Sequence, residues 1–131
     1  MFVLDSDHMS LLDWGGPGAA ALREHLADVP DKHVATTIIC YEEQMRGWMA
    51  YIAKARSVER QVEAYRRLRN HLDNYRSIPV LDFDDAAAER FQRLRRSRIR
   101  IGTMDLRIAA IVLSRDDTLL TRNMVHFGKV P

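Results

Sequence analysis

Phe2-Val3-Leu4-Asp5 opens the chain with three apolar residues in a row and then, abruptly, a carboxylate. A strand with one wet face alternates polar and apolar residues, so an unbroken apolar run is the mark of a strand covered on both faces. Working outward, Val34-Ala35-Thr36, Pro79-Val80-Leu81 and Thr118-Leu119-Leu120-Thr121 read as three further strands. Helical segments separate them. His8 to Trp14 forms a short helix broken at Gly15-Gly16, and Pro17 then suits the start of a second one, continuing from Ala19 to Val29 before a turn at Pro30-Asp31. From Thr37 onward Ile38, Ile39, Met45, Trp48, Met49 and Ile52 recur at helical spacing. Ser57 can cap a long polar helix reaching about Tyr75, with Val62, Tyr65, Leu68 and Leu72 on one stripe. Asp84 can cap a helix containing Ala86 to Leu94, and Thr103 one running through Asp105 to Leu113. Strands alternating with helices predict an α/β fold with a parallel sheet covered on both faces, its ligands expected beyond the carboxyl ends of the strands.

The 131 residues have the length of one domain, and 47% hydrophobic content supplies one core. Twenty Lys and Arg against eighteen Asp and Glu leave a formal charge of +2, so overall balance does not mark a nucleic-acid binder and the distribution of charge has to. Cys40 is the single cysteine, which excludes an intrachain disulfide and a cysteine zinc site and points to a reducing, cytoplasmic setting. Within an apolar run and with no histidine beside it in sequence, it reads as packing rather than as a nucleophile. The start, Met1-Phe2-Val3-Leu4-Asp5, lacks the features of a signal peptide, and no segment approaches the length of a membrane span.

Three carboxylate positions can meet on this topology. Asp5 ends the first strand, Asp105 sits in the first turn of a late helix, and Glu42 or Glu43 lies early in the helix after the second strand. Taken singly, each is an ordinary helix cap or solvated face. Together they would repel one another without a cation, and hard divalent ions prefer such oxygen ligands and can activate water against a phosphodiester.

Four segments in register resemble one known family: Leu4-Asp5-Ser6-Asp7-His8, Glu42 to Gly47, Ile101 to Ala110, and Leu120 to Phe127. Their order and spacing are similar to those of VapC-type PIN-domain toxins of toxin-antitoxin pairs along virtually the whole chain. The resemblance implies a PIN-like three-layer sandwich over residues 1–131, with a central, mostly parallel sheet of four to five strands. It implies a Mg²⁺- or Mn²⁺-dependent endoribonuclease, a homodimer, and a small antitoxin as partner. Carried over by position, Asp5 and Asp105 are the metal ligands. Glu43, with Glu42 as the adjacent alternative, completes the negative pocket. Asn123 stands near the family's fourth acidic position, and its neutral amide departs from the pattern and weakens the case for a second metal. Asp7, His8 and His126 are supporting candidates.

The most basic stretch, Arg90, Arg93, Arg95, Arg96, Arg98 and Arg100, leads toward Asp105, and Arg95, Arg96 and Arg98 are the candidate RNA-backbone contacts. Phe91 is the single aromatic residue within this stretch, too sparse an interleaving to indicate base stacking. Two competing readings are an RNA-processing nuclease without an antitoxin and a non-catalytic PIN-fold binding module.

Overall fold

The computed structural model describes residues 2–14, 16–27 and 34–120. Its elements run β1 (Phe2–Leu4), α1 (Ser6–Trp14), α2 (Gly16–Leu26), β2 (Val34–Thr37), α3 (Ile38–Ala53), α4 (Val58–Arg76), β3 (Val80–Leu81), α5 (Asp85–Arg96), α6 (Thr103–Ser114) and β4 (Thr118–Leu120). The strands form one sheet in the order β3-β2-β1-β4, and every pair is parallel. Val3 lies opposite Ala35 on one side and Leu119 on the other, while Thr37 pairs with Leu81.

Val3 and Leu4 of the opening apolar run are buried, one on each face of the sheet, whereas Phe2 at the start of the strand is 38% exposed. Val3 packs with Ala35, Leu81, Ile39, Ile108 and Ile111 on one face of the sheet. Leu4 packs with Val34, Met9 and Tyr75 on the other. Adjacent residues of β1 therefore enter different cores, as the two-residue period of a strand requires. Burying each such side chain is worth about 1.5–3 kcal/mol. A third cluster, Leu94, Leu106, Ala109 and Ala110, locks α5 onto α6. This is an α/β sandwich in three layers with a four-stranded parallel sheet, within the range expected.

Helix starts follow the local chemistry. Thr37 Oγ1 accepts the Cys40 N–H at 3.1 Å, Ser57 Oγ the Arg60 N–H at 3.1 Å, and Asp84 Oδ1 the Ala87 N–H at 2.9 Å. Three boundaries or faces differ from expectation. The first helix begins at Ser6 rather than His8, because Asp5 starts it at once: its carboxylate accepts the His8 N–H at 3.1 Å and its carbonyl the Met9 N–H at 3.0 Å. Thr103 does not cap α6. Gly102 occupies the cap position without a side-chain bond, and Thr103 is the first helical residue. In α4 the apolar stripe does not face the core. Its buried residues are Ala64, His71 and Tyr75, while Val62, Tyr65 and Leu72 are exposed and Leu68 is half-buried. The turn at Pro30-Asp31, the expected extension to Val29 and the strand residue Thr121 lie outside the described residues. Gly16, at the break between α1 and α2, has φ +84°, a backbone conformation that glycine adopts without a Cβ penalty.

Candidate active site

The carboxyl end of β1 is the centre of the site. Because β1 lies inside the sheet and α1 starts directly after it, Asp5 is held 4% exposed at the sheet edge. One of its oxygens, Oδ1, accepts both the His8 N–H and His8 Nδ1, the latter at 2.8 Å. The ordinary capping role is therefore real, and it also fixes the carboxylate. Among the described residues nothing hydrogen-bonds the second oxygen, Oδ2.

The neighbouring strand β2 delivers α3, whose second turn carries the two glutamates. They diverge as adjacent helical positions must, by about 100°. Glu42 turns outward and pairs with Arg46 at 2.7 Å on the exposed face. Glu43 turns inward, where its Oε1 accepts the hydroxyl of Ser6 at the start of α1. Burial pushes the Glu43 carboxyl above its usual range. The Ser6 hydrogen bond opposes this, and the negative charges of Asp105, Asp7 and Asp5 reinforce it. Four carboxylates, from the end of β1 and from α1, α3 and α6, thus share one electrostatic neighbourhood. Asp105 reaches it from the first turn of α6, half-buried, and Asp7 from the exposed side of α1.

Gln44, buried next to Glu43, bolts the two helices together. Its Nε2 donates to the Ser6 carbonyl at 3.1 Å and to Ser10 Oγ at 2.9 Å, and its Oε1 accepts the Tyr75 hydroxyl at 2.5 Å. Neither Ser6 nor Gln44 is singled out by the sequence. Their partners lie more than thirty positions away, and the only local hint is that each directly adjoins a candidate carboxylate.

Between α1 and α3 opens a cavity of about 450 Å³, bounded by Ser6, Asp7 and Ser10 on one side and Glu43, Gly47 and Tyr51 on the other. Its size falls in the range of small-ligand sites.

Other candidates lie elsewhere. Arg95 and Arg96 stand with Gln92 around a separate polar cleft of about 420 Å³, and Arg98, with φ 56°, follows the end of α5. Arg93 pairs with Glu89 at 2.6 Å, and Arg95 lies over the Phe91 ring at 5.6 Å. These cations also sit where a helix carboxyl terminus favours positive charge. Cys40 is fully buried, and burial pushes its thiol up, away from thiolate chemistry. Asn123 and His126 lie outside the described residues.

The donors gathered here are carboxylate oxygens, the set that suits Mg²⁺ or Mn²⁺ rather than a soft metal. Among the described residues no three His, Cys, Asp or Glu side chains close into a ready-made cation cage. Like charges repel without a cation between them, and after burial that repulsion is the second influence raising the Glu43 carboxyl.

No family model matches the sequence, and no curated protein matches it. Solved structures do. The chain is similar to one in the DNA-bound VapBC of Salmonella typhimurium, with 22% identity and a TM-score of 0.78 over 99% of this chain and 92% of that one. It is similar to one in VapBC-1 of nontypeable Haemophilus influenzae, at 20% identity and a TM-score of 0.74 over 98% and 91% of the two chains. A chain of VapBC-5 from Mycobacterium tuberculosis, described as a toxin-antitoxin system, shares 27% identity with a TM-score of 0.58 over 96% and 86%. The resemblance to VapC-type PIN-domain toxins read from the sequence therefore holds in three dimensions at the level of fold.

Proposed function

We propose that this chain is the toxin of a toxin-antitoxin pair and acts in the cytoplasm as a Mg²⁺- or Mn²⁺-dependent endoribonuclease. The observation that carries this reading is the convergence of Asp5, Asp7, Glu43 and Asp105 at the carboxyl edge of the sheet, where burial first and then the three neighbouring charges raise the Glu43 carboxyl. A site that gathers negative charge at such a cost is built for a cation. Asp5, through its Oδ2, and Asp105 would hold the ion. When bound, a divalent ion supplies an acidified water and offsets charge on the phosphoryl oxygens. Glu43 then has one oxygen fixed by Ser6 and the other available to take a proton, and a carboxyl raised toward neutrality is the better base. Asn123 would contribute an amide oxygen. Arg95, Arg96 and Arg98 would contact RNA phosphates at a distance from the carboxylates.

Support for an antitoxin comes from the structural neighbours, which are toxin-antitoxin complexes by description, and from the apolar surface left open on this chain. Val58, Val62, Tyr65 and Leu72 of α4, with Met49 of α3, are exposed, and an apolar stripe of that length favours a covering protein. A homodimer could share the same surface. Among the described residues no helix is long and apolar enough to cross a membrane.

Cleavage of RNA by the purified chain in Mn²⁺, abolished by chelator, tests the enzyme. Failure of the folded chain to cut any RNA with metal present would favour the binding-module reading, to which the absence of a closed cage among the described residues lends weight. Co-purification with a small protein encoded beside it tests the toxin assignment against that of a processing nuclease.

A further inference from the structure

The cavity between α1 and α3 extends well past the carboxylates. Glu43, Gly47 and Tyr51 are spaced four residues apart and line it along one file of α3, so it runs about 12 Å from the reacting end to the Tyr51 ring. Tyr51 is 37% exposed and stands edge-to-face with the buried Trp48, ring centroids 5.5 Å apart, which holds its ring in place. Between the two ends Gly47 leaves the cavity clear, since a Cβ added there would meet nothing within 4 Å. A glycine inside a sixteen-residue helix is a local weakness, and here its effect is to keep the cavity open.

The polar groups on the walls are selective. Gln44 is saturated by Ser6, Ser10 and Tyr75 and serves as structure. Ser10 Oγ accepts from Gln44 and so keeps its own proton to donate. Asp7 and Glu43 supply acceptors. The cavity therefore offers a carboxylate pair, one hydroxyl donor and an aromatic face. A flat ring with two adjacent N–H donors beside an acceptor matches that inventory, and among the RNA bases only guanine carries N1–H and N2–H₂ next to O6.

We infer that this cavity is a subsite for one unstacked guanine of the RNA, stacked on Tyr51 and hydrogen-bonded by Asp7 and Ser10; the inference rests on the ribonuclease reading above. Specificity for single-stranded RNA commonly takes this form, with a splayed base on an aromatic ring and its edge read by polar groups.

The test uses the full chain in chelator, so that no cutting occurs, and labelled eight-nucleotide RNAs: all uridine, one guanosine among uridines, or inosine in its place. Fluorescence anisotropy should show the guanosine RNA bound about tenfold more tightly than all-uridine RNA, with most of that gain lost for inosine, which lacks the N2 amino group. Tyr51→Leu removes the stacking face, and Gly47→Leu fills the cavity while favouring the helix. Each should erase the guanosine preference, bringing the guanosine and all-uridine RNAs to equal affinity, while the melting behaviour stays near wild type. A preference that survives both substitutions, or one absent from the wild-type chain, overturns the subsite but leaves the nuclease reading standing. If the wild-type chain binds none of the RNAs and also cuts no RNA in Mn²⁺, the ribonuclease reading falls and takes the subsite with it.

Discussion

Replacing Gln44 with methionine keeps the volume of the side chain and deletes its hydrogen bonds, which makes it a clean test of how the site is held. Gln44 is 8% exposed and makes three bonds: to the Ser6 carbonyl, to Ser10 Oγ and from the Tyr75 hydroxyl. A net contribution of about 1 kcal/mol per bond gives about 3 kcal/mol in all. The Tyr75 bond is the fully buried one, whereas Ser10 can turn to water at the cavity wall. The apolar thioether recovers a fraction of a kcal/mol, leaving an expected loss of roughly 2–3 kcal/mol. For a chain of this size that corresponds to a fall in Tm of about 10 °C. Urea denaturation of both proteins in chelator, followed by circular dichroism, measures it directly. Tyr75→Phe alone should cost about 1 kcal/mol, and the double mutant should cost less than the sum of the two because they share a bond. Activity carries the second readout: with Ser6 unpinned, Glu43 loses its fixed partner, and cleavage per folded molecule should drop as well. A loss below about 0.5 kcal/mol, or strict additivity with Tyr75→Phe, would show that the network does not couple α1 to α3 and that the Ser6 to Glu43 alignment has another source.

Asp5→Asn and Asp105→Asn should each abolish Mn²⁺-dependent cleavage while the protein remains folded by circular dichroism; wild-type rates in either folded variant would refute the assignment. Asp5→Asn should cost little stability, since an asparagine oxygen can still accept the His8 N–H at the start of α1. Neutralising Arg95, Arg96 and Arg98 together should weaken RNA binding and lower its salt dependence by up to about three released counterions, and an unchanged salt slope would return them to an ordinary solvated helix end. Glu43 has a folded-state carboxyl raised by burial and by Asp105, Asp7 and Asp5, so its contribution to stability is present below the unfolded carboxylate range and is lost as pH rises through the folded value. Metal-free Glu43→Gln should therefore be more stable than wild type at neutral pH and equal to it in acid. Equal stability at both, by urea titration, would show that neither burial nor the neighbouring charges raise the carboxyl.

Much of the fold was legible because the chain states it locally. Val3 and Leu4 need cover on two sides wherever the strand sits, and Ser57 and Asp84 satisfy helix N–H groups three residues ahead with no help from elsewhere. The apolar stripe of α4 was equally legible as a stripe but not in its direction. Helical spacing reports that Val62, Tyr65 and Leu72 share a face, and it cannot say whether the domain or another protein covers it. What decided the matter is the small Ala64 and the aromatic contacts of His71 and Tyr75 with Tyr41, all set by the packing of α4 beside α3.

The site divides along the same line. Its charges could be read from Asp5, Asp105 and the glutamate pair, because strand ends and helix starts are where a parallel sheet collects ligands. Which glutamate turns inward could not, since Glu42 and Glu43 are equivalent until α1 is laid across α3. Then Ser6 meets Glu43, and Arg46 one turn further along draws Glu42 to the outside. The same crossing brings Tyr51 into the cavity that the carboxylates open, although in sequence Tyr51 is eight residues from Glu43 and far from the arginines of α5. Separating the two roles is physically sensible. On the proposed reading, cations strung along α5 attract a polyanion from any direction and read no sequence, whereas an aromatic ring about 12 Å along the cavity from the carboxylates can act only on the one base that enters there.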